Sequence, residues 1–139
     1  MGKLVADTVS KKKRSEMMAL VRNKNTKPEL LVRKLVFSMG YRYRLHRSDI
    51  PGKPDLVFAG RKKVIFVHGC FWHRHDCPRG TMPKTNKTFW SKKLSKNVER
   101  DRKVQAELKE MSWDFLVIWE CDLKHIPHLK KMLQDFLIH

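Results

Sequence analysis

The sequence has few cysteines, few acidic residues and no long apolar run, and each shortage excludes a class of protein. Three cysteines in 139 residues cannot all pair with one another, so a disulfide-stabilised extracellular scaffold is excluded and free thiols are expected. No segment reaches the roughly 20 apolar residues that span a bilayer, and the first residues, MGKLVADTVSKKKR, lack the apolar stretch of a secretory signal. We therefore expect a cytoplasmic protein without membrane association.

The shortage of acidic residues leaves a large positive charge. The chain has 14 Asp and Glu against 31 Lys and Arg, a formal net charge of +17 that is spread along its length. Such a field attracts polyanions and steers encounter with phosphate chains, so nucleic acid is the expected partner. The alternative is a basic protein whose charge serves only solubility.

The order of predicted elements indicates one small α/β domain, residues 1–139, with a mixed sheet and a flexible basic arm over 1–14. Thr26 and Glu29 form a capping-box pattern that predicts a helix from residue 27 to 39. Short apolar runs predict strands, two of them joined as a hairpin, and a long polar helix before the last strand predicts parallel pairing there. The remaining predictions are strands over 41–46, 55–58, 63–67 and 113–119, and helices over 91–111 and from Pro127 onward.

The stretch HGCFWHRHDC, residues 68–77, concentrates metal-binding side chains. A structural zinc ion takes four thiolate or imidazole ligands in a tetrahedron. The loop and the strand end at WEC supply such a set, and the polar loop cannot bury enough apolar surface to hold itself, so we expect a closed zinc site that forms part of folding. The predicted ligands are Cys70, His75, Cys77 and Cys121; His68, His73 and Asp76 are alternative ligands, and a zinc site open to water or buried inert thiols are alternative interpretations.

Asp55 comes at the start of a predicted strand, after the turn PGKP. A carboxylate there, in a basic protein, is suited to hold Mg²⁺ beside a phosphate, and hairpin pairing would bring it near Val67 and His68. Hydrolysis of a phosphodiester also needs a group that moves a proton near neutral pH, for which His73 is the first candidate and His68 the second. The alternative interpretations are an aspartate that only caps its own turn and histidines with structural roles.

The motifs PGKPDLVF, VIFVHGCFWHRHDC, KTFWSKK, KNVERDR and VIWEC follow one another in this order. Together they resemble the very-short-patch-repair (Vsr) mismatch endonuclease family over roughly residues 10–123. The resemblance implies a restriction-endonuclease-like fold, which is a mixed β-sheet flanked by helices, here with a structural zinc loop. It also implies an enzyme that uses Mg²⁺ to nick the strand carrying thymine in a T·G mismatch left by deamination of 5-methylcytosine.

The family's functional residues fall on particular positions of this chain. By the resemblance, Asp55 binds the catalytic cation, His73 and His68 are the active-site histidines, and Val67 lends its backbone carbonyl to the cation where relatives often have threonine. The early acidic residue of the family falls on Glu29, whose water-mediated contact with Mg²⁺ competes with the capping role. The family's zinc ligands fall on the same set of three cysteines and one histidine.

Flat apolar side chains favour a T·G pair over regular duplex because its neighbours unstack at reduced cost. Phe71, Trp72 and Trp90 are suited to act as such wedges, and the resemblance has them enter from the major groove while Met18 probes the other groove. The alternative is that these rings belong to the core, most plausibly Trp90 at a helix start.

The sequence therefore predicts a monomeric, Mg²⁺-dependent endonuclease acting on double-stranded DNA with a T·G mismatch, with mismatch-repair proteins as candidate partners. Two other hypotheses stay open. One is a zinc-stabilised DNA-binding module without catalysis, and the other is a related nuclease with a different mismatch or site specificity.

Overall fold

The computed structural model describes residues 26–138. The predicted basic arm and Met18 lie outside the described residues. Among residues 26–138, no helix is long and apolar enough to cross a membrane.

Three helices and four strands agree with the predicted order, and differences occur at their ends. In chain order they are α1 (Lys27–Ser38), β1 (Arg44–Leu45), β2 (Leu56–Phe58), β3 (Lys63–His68), α2 (Lys87–Glu110), β4 (Asp114–Trp119) and α3 (Ile126–Ile138).

The strand predicted over residues 41–46 is wrong in extent, since only two of its residues pair. The helix predicted from residue 91 begins at Lys87 instead, one turn earlier, where Asn86 gives no side-chain cap that would mark its start. Asp55 lies just before β2 rather than within it.

The strands form one mixed sheet in the order β1-β2-β3-β4. The first three are antiparallel neighbours, and Leu56 lies opposite Ile65 in the predicted hairpin. β4 runs parallel to β3, with His68 opposite Trp119. The prediction that a helical connection would give parallel pairing is confirmed, and both strands end at the same edge of the sheet.

Each face of the sheet has its own core, because side chains alternate along the strands. Leu56, Ile65 and Ile118 pack with residues of α1 and α3 on one face. On the other face Val64 and Phe66 pack near Leu108 of α2. The domain thus has three layers, helix, sheet and helix, and the sheet positions whatever follows its strands.

The last helix is held to the sheet by a buried cation. The Nζ atom of Lys63, 5% exposed, donates to the backbone carbonyl of Phe136 at 2.5 Å. Arg61 donates in the same way to the carbonyl of Leu137 at 2.9 Å. These bonds satisfy carbonyl groups that have no partner within a helix end and place positive charge at its negative pole.

Candidate functional site

Asp55 is placed by the hairpin of β2 and β3. Its Oδ2 atom accepts a hydrogen bond from the backbone N–H of Val67 at 2.6 Å. The expected proximity of this carboxylate to Val67 and His68 is therefore confirmed. All three line a cavity of about 180 Å³, together with Glu29 and His73.

Glu29 reaches the same cavity from the first turn of α1. Thr26 caps the helix as predicted, since its hydroxyl accepts from the backbone N–H of Glu29 at 3.4 Å. The Glu29 carboxylate itself lies against the imidazole of His46 and 3.3 Å from the Arg33 guanidinium. The carboxylate is therefore held by His46 and Arg33 where it lines the cavity.

Burial and the neighbouring Glu29 carboxyl change the protonation of Asp55. Burial raises the pKa of Asp55 to about 7, and the neighbouring Glu29 adds to the rise, while the bond from the Val67 N–H opposes it. A bound divalent cation would relieve this repulsion by favouring the ionised form. The pair is thus suited to hold a cation between the sheet edge and α1.

The two predicted active-site histidines are stacked on each other. The rings of His68 and His73 are 3.7 Å apart and nearly parallel. Burial, together with the nearby His73, lowers the pKa of His68 to about 3, so His68 is neutral near pH 7. The Nδ1 atom of His73 lies 2.6 Å from the Oδ2 atom of Asp101 on α2. A carboxylate at Nδ1 fixes the ring tautomer that leaves Nε2 free for chemistry.

The predicted zinc ligands are brought together at one point. One ligand atom from each of Cys70, His75, Cys77 and Cys121 lies within 4.8 Å of all the others, so the group could hold a metal ion. Three thiols and one imidazole match the ligand preference of structural zinc. His68 and His73 belong to a different group, and the exposed Asp76 is absent from this cluster among the described residues.

The loop that carries these ligands is tightly folded around glycine. The backbone N–H of His75 donates to the carbonyl of Cys70 at 2.9 Å, and the His75 ring stacks on Trp119 of β4 at 4.1 Å. A Cβ atom at Gly80 would lie 2.1 Å from the carbonyl oxygen of His75, so only glycine fits there. The metal-ligand loop is therefore held by a hydrogen bond within the loop and by ring stacking against the end of β4.

The aromatic residues predicted to contact DNA form one group beside the cavity. Phe71 and Trp72 are half-buried cavity-lining residues, and Trp90 is 9% exposed with its ring 5.3 Å from Phe71 and 5.8 Å from Trp72. The outermost ring is Phe89, 51% exposed. Lys93 lies 5.8 Å above the ring of Trp72. The group presents flat apolar surface next to positive charge, while Trp90 supports it from below.

Two residues of the site were missed by sequence reasoning. Asp101 lies in the motif KNVERDR, but in a helix rich in charged residues nothing marks one carboxylate as special. His46 follows β1 with a left-handed backbone, φ 44°, and no periodic pattern predicts where its ring points. Histidine is one of the residues that adopt this conformation more readily than most, which was the available signal.

Comparison with known proteins agrees with this geometry. A family model described as DNA mismatch endonuclease Vsr matches residues 6–79. The chain is 45% identical over 133 residues to the Type II nicking enzyme V.XorIIP of Xanthomonas oryzae pv. oryzae, and the alignment covers 96% of this chain and 98% of that protein. It is 46% identical over 121 residues to the Type II nicking enzyme V.NmeAIP of Neisseria meningitidis, covering 87% and 86%. It is 39% identical over 120 residues to the DNA mismatch endonuclease Vsr of Escherichia coli, covering 86% and 77%.

Proposed function

The chain belongs to the Vsr family of DNA mismatch endonucleases, and from this premise we propose that it nicks duplex DNA 5′ of the thymine in a T·G mismatch, with Mg²⁺ as its catalytic cation. Family membership makes it a DNA endonuclease with a restriction-endonuclease-like fold, in line with its mixed sheet between helices. The damage it would act on is the product of 5-methylcytosine deamination, as in very short patch repair.

The observation that carries the proposal is the composition of one cavity. Its lining includes three acidic residues, Glu29, Asp55 and Glu120, and two imidazoles, His68 and His73. Carboxylates suit a divalent cation and imidazoles suit proton transfer near neutral pH, and phosphodiester hydrolysis needs both. Phe71 and Trp72 line the same cavity, so a base pair wedged apart by these rings would lie beside the reacting phosphate.

The proposed mechanism assigns one role to each residue of the site. Asp55 and the backbone carbonyl of Val67 would hold the cation directly, with Glu29 acting through water. When bound, Mg²⁺ neutralises phosphate charge and acidifies a bound water. His73 moves the proton, and Asp101 keeps its Nδ1 side occupied so that Nε2 faces the substrate. His68, neutral in its buried position, contributes hydrogen bonding and supports the His73 ring by stacking.

Mismatch recognition rests on the aromatic group and the basic surface. Inserted rings favour a pair whose neighbours unstack cheaply. Phe71 and Trp72 are the proposed wedges and Trp90 their support, while Met18 is proposed for the opposite groove. Zinc would be bound by four ligands, Cys70, His75, Cys77 and Cys121. It would thereby fix the loop that carries Phe71 and Trp72.

A second specificity is favoured by the relatives themselves. Several are named Type II nicking enzymes rather than mismatch endonucleases. A different mismatch or sequence context is therefore the second candidate for this chain. The endonuclease names argue against a binding module without catalysis.

One experiment tests both specificities. End-labelled duplexes carrying each of the possible mismatches, and a matched duplex, are incubated with the protein with and without Mg²⁺. We expect a single nick on the thymine strand of the T·G duplex, only when Mg²⁺ is present. Preference for another mismatch would favour the second candidate, and equal cutting of matched DNA would reject mismatch recognition altogether.

A further inference from the structure

His46 contacts both carboxylates of the cavity. Its Nε2 atom lies against Oε1 of Glu29 and 3.6 Å from Oδ1 of Asp55. Ligand atoms of the three side chains lie within 4.8 Å of one another. One imidazole nitrogen thus contacts both of the acidic groups to which the catalytic cation is assigned.

His46 contacts the two carboxylates without lining the cavity itself. Among the described residues, Glu29 and Asp55 line the cavity, whereas His46 is not part of its lining. The other oxygen of Asp55 is fixed by the Val67 N–H at 2.6 Å. His46 therefore touches the acidic pair without facing a substrate, and any effect on chemistry must pass through Glu29 and Asp55.

The buried position of Glu29 favours hydrogen-bond donors such as His46. Its side chain is 3% exposed, so a carboxylate there is stabilised only by hydrogen bonds and opposite charge. Arg33 supplies charge from one direction at 3.3 Å. The Asp55 carboxyl is a second acidic group beside it, and both a hydrogen bond and like charge couple the two groups.

The backbone at His46 supports a specific role for this side chain. Its φ of 44° lies in the left-handed region, which costs free energy for residues other than glycine. This turn directly after β1 directs the ring back onto the sheet edge. The contact of the His46 ring with Glu29 is more than continuation of the loop requires.

We propose that His46 is a positioning residue, whose Nε2–H donates to Glu29 and holds the Glu29 and Asp55 carboxylates in the orientation that binds the catalytic cation. The inference rests on the proposed function, since it assigns the cation to these two groups. The neutral imidazole suffices for the role, because only the Nε2–H donor is required. Outer partners of metal ligands of this kind commonly affect metal affinity by 10–100-fold.

The test compares two amide variants that differ by one methylene. His46→Gln places an amide N–H donor at about the reach of Nε2, whereas the His46→Asn amide is too short to touch Glu29. Mn²⁺ and Mg²⁺ binding to the zinc-loaded, DNA-free protein is measured by titration calorimetry. We expect His46→Asn to weaken cation binding about tenfold or more and His46→Gln to weaken it only a few fold.

A purely structural role for His46 reverses this order. Asparagine adopts positive φ more readily than glutamine, so a backbone effect would make His46→Asn the milder variant. The proposal is overturned if His46→Asn binds the cation like the unaltered protein, or if His46→Gln is impaired as much as His46→Asn. Nicking rates against Mg²⁺ concentration should show the same ranking in the Mg²⁺ requirement, with the rate at saturating Mg²⁺ largely kept.

A measurement on the unaltered protein covers the case in which the variants do not fold. Nuclear magnetic resonance of ¹⁵N-labelled imidazoles should find a proton on Nε2 of His46, and a ring protonated only on Nδ1 overturns the proposal. Failure of the proposed function is distinguishable, because it would appear as cation binding without nicking of any mismatched duplex.

Discussion

The Nδ1 atom of His73 lies 2.6 Å from the Asp101 carboxylate, and this bond joins the ligand loop to α2. If it fixes the tautomer of the proton-transfer residue, Asp101→Asn should lower the nicking rate by about 10–100-fold, because acid-base assistance is worth about 10²–10⁴-fold in all. Affinity for the mismatched duplex should change little. The exposed Glu99 on the same helix gives the control Glu99→Gln, which should nick normally. An undiminished rate for Asp101→Asn would remove Asp101 from the mechanism.

Asp55→Ala should abolish Mg²⁺-dependent nicking while mismatch binding persists. The carboxylate is the proposed direct ligand of the cation, whereas the proposed DNA contacts are made by other side chains, the rings of Phe71 and Trp72 in the same cavity and the basic surface. Gel-shift affinity and single-turnover cleavage of the same labelled duplex separate the two effects. Asp49→Ala is the matched control, since that carboxylate is exposed and paired with Arg47. Cutting by Asp55→Ala at the normal rate would make the cation assignment wrong.

Cys121→Ser should release the metal from the ligand loop. The four-ligand group loses one soft donor, and structural zinc sites contribute directly to folding. Elemental analysis should find about one zinc per unaltered chain and much less in the variant, which should also unfold at lower temperature. His125→Ala, an exposed histidine nearby, should keep its zinc. Equal zinc content in Cys121→Ser would reject the four-ligand assignment.

His68 should make the protein less stable in mild acid. Its pKa is about 3 in the folded state against 6.5 for the free side chain, because burial disfavours the charged form. The unfolded chain therefore binds more protons as the pH falls below 6.5, and this contribution to stability is lost progressively towards pH 3. Between about pH 7 and pH 5, the unaltered protein should lose on the order of 2 kcal/mol more unfolding free energy than His68→Gln. Denaturant titrations at the two pH values measure the difference, and parallel losses would contradict it.

Lys63→Met should destabilise the domain without touching the site. Its buried ammonium donates to the carbonyl of Phe136 near the end of α3. Loss of a charge-assisted bond and of favourable charge at a helix end is worth about 1–3 kcal/mol. The exposed Lys130→Met should be close to neutral by the same denaturant measurement. A Lys63→Met variant as stable as Lys130→Met would mean that water hydrogen-bonds the Phe136 carbonyl in place of Lys63.

The parts of the fold and site predicted from sequence depend on local patterns. The cap at Thr26, the β2–β3 hairpin and the apolar run of β4 are each encoded within a few neighbouring residues, and all three are confirmed. The metal-ligand group was predictable for a chemical reason, since the chain has only three cysteines and zinc prefers thiolate and imidazole ligands.

The parts that could not be predicted depend on long-range contacts. His46 meets Glu29 across 17 residues and His73 meets Asp101 across 28. Neither contact leaves a period or a motif of ligand residues in the sequence. The exposure of Phe89 above a nearly buried Trp90 was likewise hidden, because adjacent aromatic residues at a helix start give no sign of which one faces outward.

The hairpin register described for β2 and β3 sets a limit on how the chain can change in length. The four residues between these strands, 59–62, keep Leu56 opposite Ile65 and so bring Asp55 to the Val67 N–H. An insertion or deletion of one residue there would turn every side chain of one strand to the other face of the sheet. A change in length between Gly80 and Lys87 would leave this register intact. A single residue added to the short connection at 59–62 would separate the Asp55 carboxylate from the Val67 N–H.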